Sequence, residues 1–173
     1  MNLPPARKRN EIWVSDITYF KIKNYAVYLC VILDLFFRRV VGYRVSRKSS
    51  THLVTATFKT AFQERGKPTH LTFHSDRGGQ YISDTFCKLL LDCKQQLFSN
   101  SGRPYDNVVA ETFFATFKKE EAYHPDYSSE VDFRKSVEQY KQFYNETRPH
   151  KTLAYTSSAR FEELYGKDKT QDI

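Results

Sequence analysis

Cysteine is scarce in this chain. Cys30, Cys87 and Cys93 are odd in number and show no Cys-x-x-Cys spacing. That argues against a disulfide framework and a zinc knuckle, and points to small buried thiols in a reducing compartment. Long apolar runs are missing as well. The longest, Tyr25 to Phe37, is interrupted by Asp34, falls short of the roughly 18 residues of a membrane span, and reads as strands. The opening MNLPPARKRN carries basic residues with no apolar stretch after them, so it lacks the pattern of a secretory signal. Repeats, low-complexity segments and an interdomain linker are also lacking. What is present is a 173-residue chain of 20.4 kDa that is 40% hydrophobic and 16% aromatic. This is too apolar for a disordered chain and suits one domain with a real core. Lys and Arg outnumber Asp and Glu by 27 to 20, a net charge of +7 that suits a polyanionic partner.

Patterning divides the chain into elements. EIWVSDITYF alternates, with Trp13, Ile17 and Tyr19 on one face and Val14, Asp16, Thr18 and Phe20 on the other. A tight turn at Asn24 leads into AVYLCVIL, a continuous apolar run typical of a strand buried on both faces. DLFFRR turns into VVGYRVS, completing an antiparallel meander. From residue 50 the period becomes helical. Ser50 or Thr51 caps a helix carrying Leu53, Val54, Thr57, Phe58, Ala61 and Phe62, which Gly66 and Pro68 stop. THLTFHSD predicts a short strand, SDTFCKLLLDCK a helix capped by Ser83, and QLFS one more strand. Helices are expected over about 106–121 and 130–146, with residues 1–10 and 165–173 loose at the ends. The order β-β-β-α-β-α-β-α-α implies an α/β domain over residues 11–164, with a mixed five-stranded sheet and helices on both faces. Ribonuclease H-like folds have that order.

Three acids stand out within this pattern. Asp16 lies mid-strand between Val14 and Thr18, expensive ground for an unpaired charge. Asp76 ends the fourth strand, at the carboxyl edge where open α/β sheets gather ligands, and Gly78 and Gly79 follow it in HSDRGGQYIS. If the first and fourth strands are neighbours, the two aspartates approach each other at one rim. The helix that follows supplies a third acid: Val109, Ala110, Phe113 and Phe117 form its buried side, while Asn107, Glu111 and Lys118 share a polar stripe. Each of these residues taken singly also fits a solvated or ion-paired surface. Three carboxylates from separate segments make a hard, all-oxygen site suited to Mg²⁺ or Mn²⁺. Two such ions about 3.5–4 Å apart can activate a water or a 3′-hydroxyl at a phosphodiester. His74 and His150 offer a zinc or general-base alternative, without the His-x-x-x-His or Glu-x-x-His spacing that would support it.

Five stretches, WVSDITYF, YLCVILDLFFRRVVGY, HSDRGGQY, SGRPYDNVVAETFFATFKKE and YNETRPHKTLAYTSSARFEE, occur in an order that resembles the catalytic core of DDE transposases. The resemblance is greatest to the retroviral-integrase-like transposases of bacterial insertion sequences, often encoded by a downstream reading frame, and it covers about residues 11–163. It implies that Asp16, Asp76 and Glu111 are the catalytic, metal-binding acids, that Asn107 is the asparagine one turn before the glutamate, and that Lys118 lies beside DNA. Lys119, Arg103 and Arg77 are expected to contact phosphates, and Gln80 and Tyr81 are candidates to line the DNA groove, the alternative for Tyr81 being that it packs under the next helix. The signature Tyr144, Asn145, Arg148 and His150 is expected to serve packing or DNA contact. The interval between Asp76 and Glu111 is one residue shorter than the family usually places there, the difference falling in CKQQLFSNSG.

The implied protein is a DNA-binding polynucleotidyl transferase. It would use two Mg²⁺ or Mn²⁺ ions and no small-molecule cofactor, act on element ends and target DNA as a homo-oligomer, and reside in the bacterial cytoplasm at the nucleoid, away from membranes. A plain ribonuclease H-like nuclease and a catalytically impaired or domesticated DNA-binding module are the alternatives.

Overall fold

The computed structural model describes residues 5–76, 78–93, 96–98, 108–121 and 127–168. Its first three strands, β1 (Ile12–Ile22), β2 (Tyr25–Asp34) and β3 (Arg39–Ser46), form the expected meander. Lys23 and Asn24 join the first two across the Ile22 and Tyr25 pair, with Lys23 in the left-handed region at φ 49°. A two-residue hairpin turn of that hand matches the twist of its strands. The next turn is organised by the buried Asp34 carboxylate, which accepts hydrogen bonds from the backbone N–H groups of Asn10, Phe36 and Phe37 at 2.7, 2.9 and 3.2 Å.

Helix α1 (Thr51–Glu64) starts at Ser50, whose hydroxyl accepts from the Leu53 N–H, and ends before Gly66 at φ +75°. Strand β4 (Thr72–Ser75) follows, then α2 (Asp84–Asp92) capped by Ser83, and β5 (Gln96–Phe98). Helices α3 (Val108–Glu121), α4 (Glu130–Glu146) and α5 (Ser158–Asp168) complete the described chain. Ser129 caps α4 by accepting from the Asp132 N–H. Residues 106 and 107, the expected start of the third helix, lie outside the described residues.

The sheet runs β3-β2-β1-β4-β5, with β1 antiparallel to β2 and parallel to β4. Four strands carry most of it, and the three-residue β5 pairs in parallel with β4 at the edge. Helices cover both faces, as the alternation in β1 requires. Val14 and Ile22 belong to a core with Leu29, Val31 and Leu33 of β2, Phe113 and Phe117 of α3, and Phe133, Tyr140 and Tyr144 of α4. Trp13 lies in the opposite core with Cys30, Ile32, Phe58 of α1, Phe73, Tyr81 and Phe86. Strand β2 therefore feeds both cores, which is why its sequence is apolar without alternation.

Two features of β3 follow from its neighbours. A Cβ added to Gly42 would stand 2.8 Å from the Ala61 Cβ, so glycine is what lets α1 lie this close to the strand. On the outer edge, the Asn145 side chain accepts from the Val40 N–H and donates to the Val40 carbonyl, both at 2.9 Å, and Arg134 donates to the Val45 carbonyl at 2.8 Å. Side chains thus occupy positions where another strand would pair.

Helix α5 is absent from the element order expected from sequence. Its apolar side, Phe161 and Tyr165, packs against Phe36 and Phe37 with ring centroids 5.0 to 6.2 Å apart. The contacts that stabilise it are therefore far away in sequence, and its own short apolar pattern gives a weak signal. Glu162 on the same helix bonds Arg39 at 2.7 Å and Arg65 at 2.8 Å, with Arg9 at 3.4 Å.

Candidate active site

The site is built where β1 and β4 part. Their parallel pairing ends at Ser15 opposite Ser75, so Asp16 and Asp76 are the next residues on two adjacent strands. Asp16 belongs to the even-numbered face of β1, toward α3, and its Oδ1 accepts the Ile17 N–H at 2.8 Å. Asp76 is exposed, and its Oδ1 accepts the Gly78 N–H at 3.0 Å, which bends the chain away from the strand. A side chain on Gly78 would stand 2.9 Å from Gln80 Oε1 and 3.1 Å from Asp76 Oδ1.

Helix α3 lies against β1 on the same face. Ala110, Phe113 and Phe117 are buried against the sheet, which leaves Glu111 exposed in the first turn. Two turns later the Lys118 Nζ donates to Thr18 Oγ1 at 2.9 Å and stands 5.5 Å from the centre of the Phe20 ring. Of the expected stripe, Lys118 thus lies against β1, and seven residues of helix, about 10 Å, separate it from Glu111.

The electrostatics of Asp16 register both other acids. Asp16 is pushed up to about 6, first by burial and then by the charges of Asp76 and Glu111; the Ile17 N–H and Lys118 act in the opposite direction. The part-buried Asp16 carboxyl thus feels two further carboxylates, and all three groups offer oxygen donors. That set fits a hard divalent cation. Among the described residues no three of His, Cys, Asp and Glu form a ready-made metal cage.

The remaining candidates are dispersed. Lys119 is exposed beside Lys118 on α3. Gln80 Nε2 donates to Ser49 Oγ at 2.6 Å, next to the start of α1. Arg148 lies 3.5 Å from Glu120 and 5.5 Å from the centre of the Tyr144 ring. Arg77, Arg103 and Asn107 lie outside the described residues, as does most of the CKQQLFSNSG segment.

Of the two expectations for Tyr81, the DNA-groove one is corrected and the packing one holds, because its side chain is 1% exposed and packs against Phe73 and against Phe86 of α2. Its hydroxyl lies 2.8 Å from Ser15 Oγ, an arrangement the sequence reading missed. The available signal was Ser15 itself, a polar residue in the apolar series of β1. The signature around residue 144 packs the fold. Tyr144 lies in the core, Asn145 holds β3, and His150 stands against the Tyr144 ring at 4.7 Å while its Nε2 meets the Tyr144 carbonyl at 3.2 Å. Burial pushes the His150 imidazole down, toward its neutral form.

An open mixed sheet between helical layers, with acids at the parting of two parallel strands, defines an α/β domain of the ribonuclease H-like class. Solved structures bear this out. The catalytic core domain of HTLV-2 integrase with magnesium, in its trimeric form, superposes with a TM-score of 0.70 at 18% identity, covering 93% of this chain and 99% of that one. A chain of the simian T-cell lymphotropic virus intasome in complex with PP2A regulatory subunit B56 gamma gives a TM-score of 0.70 at 18% identity over 88% of this chain and 54% of that one.

Family patterns described as "Integrase core domain" match residues 6–104 and 93–157, and the chain belongs to that family. It is 31% identical over 156 residues to the transposase for insertion sequence element IS904 of Lactococcus lactis, covering 89% of this chain and 62% of that protein. It is 32% identical over 144 residues to the putative transposase InsK of IS150 from Escherichia coli, covering 83% and 51%. Transposase InsF of IS3A from the same organism is 32% identical over 155 residues, covering 88% and 54%. The chain thus spans between half and two thirds of the length of these relatives. Among the described residues no helix is long and apolar enough to cross a membrane.

Proposed function

We propose that this domain is the catalytic core of an insertion-sequence transposase. It cleaves the phosphodiester at the ends of a mobile element and joins the exposed 3′-hydroxyl to target DNA. What supports the reading is that Asp16 and Asp76 directly follow the last paired residues of β1 and β4, and that Glu111 is exposed in the first turn of α3, in a member of the integrase core family. Asp16, Asp76 and Glu111 would hold the Mg²⁺ or Mn²⁺ ions. When bound, two such ions supply an activated oxygen nucleophile and stabilise the leaving oxygen.

The chain's own part is positional. β1 and β4 present two carboxylates side by side, α3 brings the third, and Lys118 sets a positive charge along the same face, where a DNA phosphate can sit. Lys119, Arg148 and Gln80, with Arg77, Arg103 and Asn107, are the proposed further DNA contacts. Joining two element ends to one target calls for more than one copy of the protein on DNA. The relatives named as bacterial transposases support action at DNA in the bacterial cytoplasm.

The test is Glu111→Gln, an isosteric change at an exposed position. It is expected to leave folding and DNA binding intact while reducing Mg²⁺-dependent cleavage of end-containing DNA to background. Retained cleavage would refute the assignment. Strand joining into a second duplex distinguishes a transposase core from a nuclease that only cuts.

A further inference from the structure

β1 and β4 hold the two aspartates by different means on either side of the point where their pairing stops. Up to Ser15 and Ser75 the strands are locked by their parallel ladder. Beyond it, Asp16 continues within β1, still paired to β2 opposite Val31, whereas Asp76 stands on a turn that leaves the sheet. Something other than the ladder must fix that turn against β1 if the two carboxylates are to keep a constant separation.

The turn is fastened by its far end. Gly78, whose N–H donates to Asp76 Oδ1 at 3.0 Å, accepts the Tyr81 N–H at its carbonyl at 2.8 Å, and the Tyr81 side chain then enters the core under α2. There its hydroxyl lies 2.8 Å from the Oγ of Ser15, the residue just before Asp16, and both side chains are sealed from solvent at 1% and 0% exposure. Ser15 Oγ donates to the Val31 carbonyl at 2.8 Å. Its single hydrogen is thereby used, so the phenol must be the donor between the two hydroxyls. The resulting chain runs from the Tyr81 hydroxyl to the Ser15 hydroxyl to the Val31 carbonyl. It crosses from the Asp76 turn through β1 to β2. Buried and closed to water, such a chain is strongly directional, and an unmade bond within it is costly.

We infer that Tyr81 and Ser15 are positioning residues for the acid pair, the Tyr81–Ser15 hydrogen bond setting where Asp76 stands relative to Asp16. The inference rests on the proposed metal-binding role of those aspartates. Neither Tyr81 nor Ser15 faces the ligand. They act through the backbone that carries each acid, as groups supporting a metal site do.

The probe is Mn²⁺ alone, titrated calorimetrically into the protein, with Asp16→Asn as reference. Binding to the unaltered protein that Asp16→Asn abolishes establishes the underlying reading; equal binding by both overturns that reading and the inference with it. Tyr81→Phe keeps the buried ring and removes the hydroxyl. It is expected to weaken Mn²⁺ binding about ten- to a hundredfold, the range for loss of a supporting hydrogen bond, while lowering the thermal midpoint by only a few degrees. Ser15→Ala should weaken binding to the same extent, the double variant should lose no more than either single one, and Ser15→Thr should restore binding. A Tyr81→Phe protein that is folded and binds Mn²⁺ as tightly as the unaltered protein would overturn the inference while leaving the metal site standing. Should Tyr81→Phe fail to fold, Ser15→Ala and its rescue by Ser15→Thr decide the matter on the same readout.

Discussion

Gly42 shows how much a single missing side chain determines. It sits in mid-strand, where glycine is ordinarily a weakness, yet a methyl group there would stand 2.8 Å from the Ala61 Cβ and 3.4 Å from the Thr57 carbonyl. Gly42→Val is expected to destabilise the fold by about 1–3 kcal/mol through overpacking, read as a lower urea midpoint with little change in slope. The pattern VVGYRVS marks the residue but not the helix above it. The acids differ in this respect. Asp16 was legible because it interrupts an apolar face of β1, and Asp76 because it ends a strand before a glycine pair. The Tyr81 hydroxyl was not, since its partner is 66 residues away and the ring satisfies an apolar pattern equally well as Phe.

Among elements, the outer edge of β3 is the one most in need of protection. An edge strand exposes backbone groups that invite another strand, and here Asn145 from the last turn of α4 pairs with both polar groups of Val40. Asn145→Ala should cost about 1–3 kcal/mol for each backbone group left unsatisfied and should raise the tendency to self-associate, measured by denaturation and by light scattering on heating. The starts of α1 and α2 were readable because Ser50 and Ser83 cap them locally. Helix α5 was not, because its support comes from Phe36 and Phe37 in the β2–β3 turn rather than from its own sequence.

At the scale of the molecule, Glu162 draws together Arg9, Arg39 and Arg65, and so the N-terminal segment, β3, the end of α1 and α5. Burial alone would raise the Glu162 carboxyl, but the Arg65 hydrogen bond and the charges of Arg65, Arg39 and Arg9 outweigh it, and the carboxyl is held below its ordinary value of 4.5. Its contribution to stability is therefore present above that value and fades as the pH falls from there through the lower, folded-state value. Glu162→Gln should be less stable than the unaltered protein at pH 7 in urea, and the gap should narrow in acid; a gap independent of pH would show that the arginines do not act through charge. This junction lies by the start of β1, whose Ile12 pairs with Thr72 at the entry of β4, whereas the acids stand past the exit of β4 at Ser75. The molecule consequently has a handle and a working end. A protein fused ahead of residue 5 is joined near the handle, so the domain can be tethered or immobilised from that side with its acidic rim left uncovered.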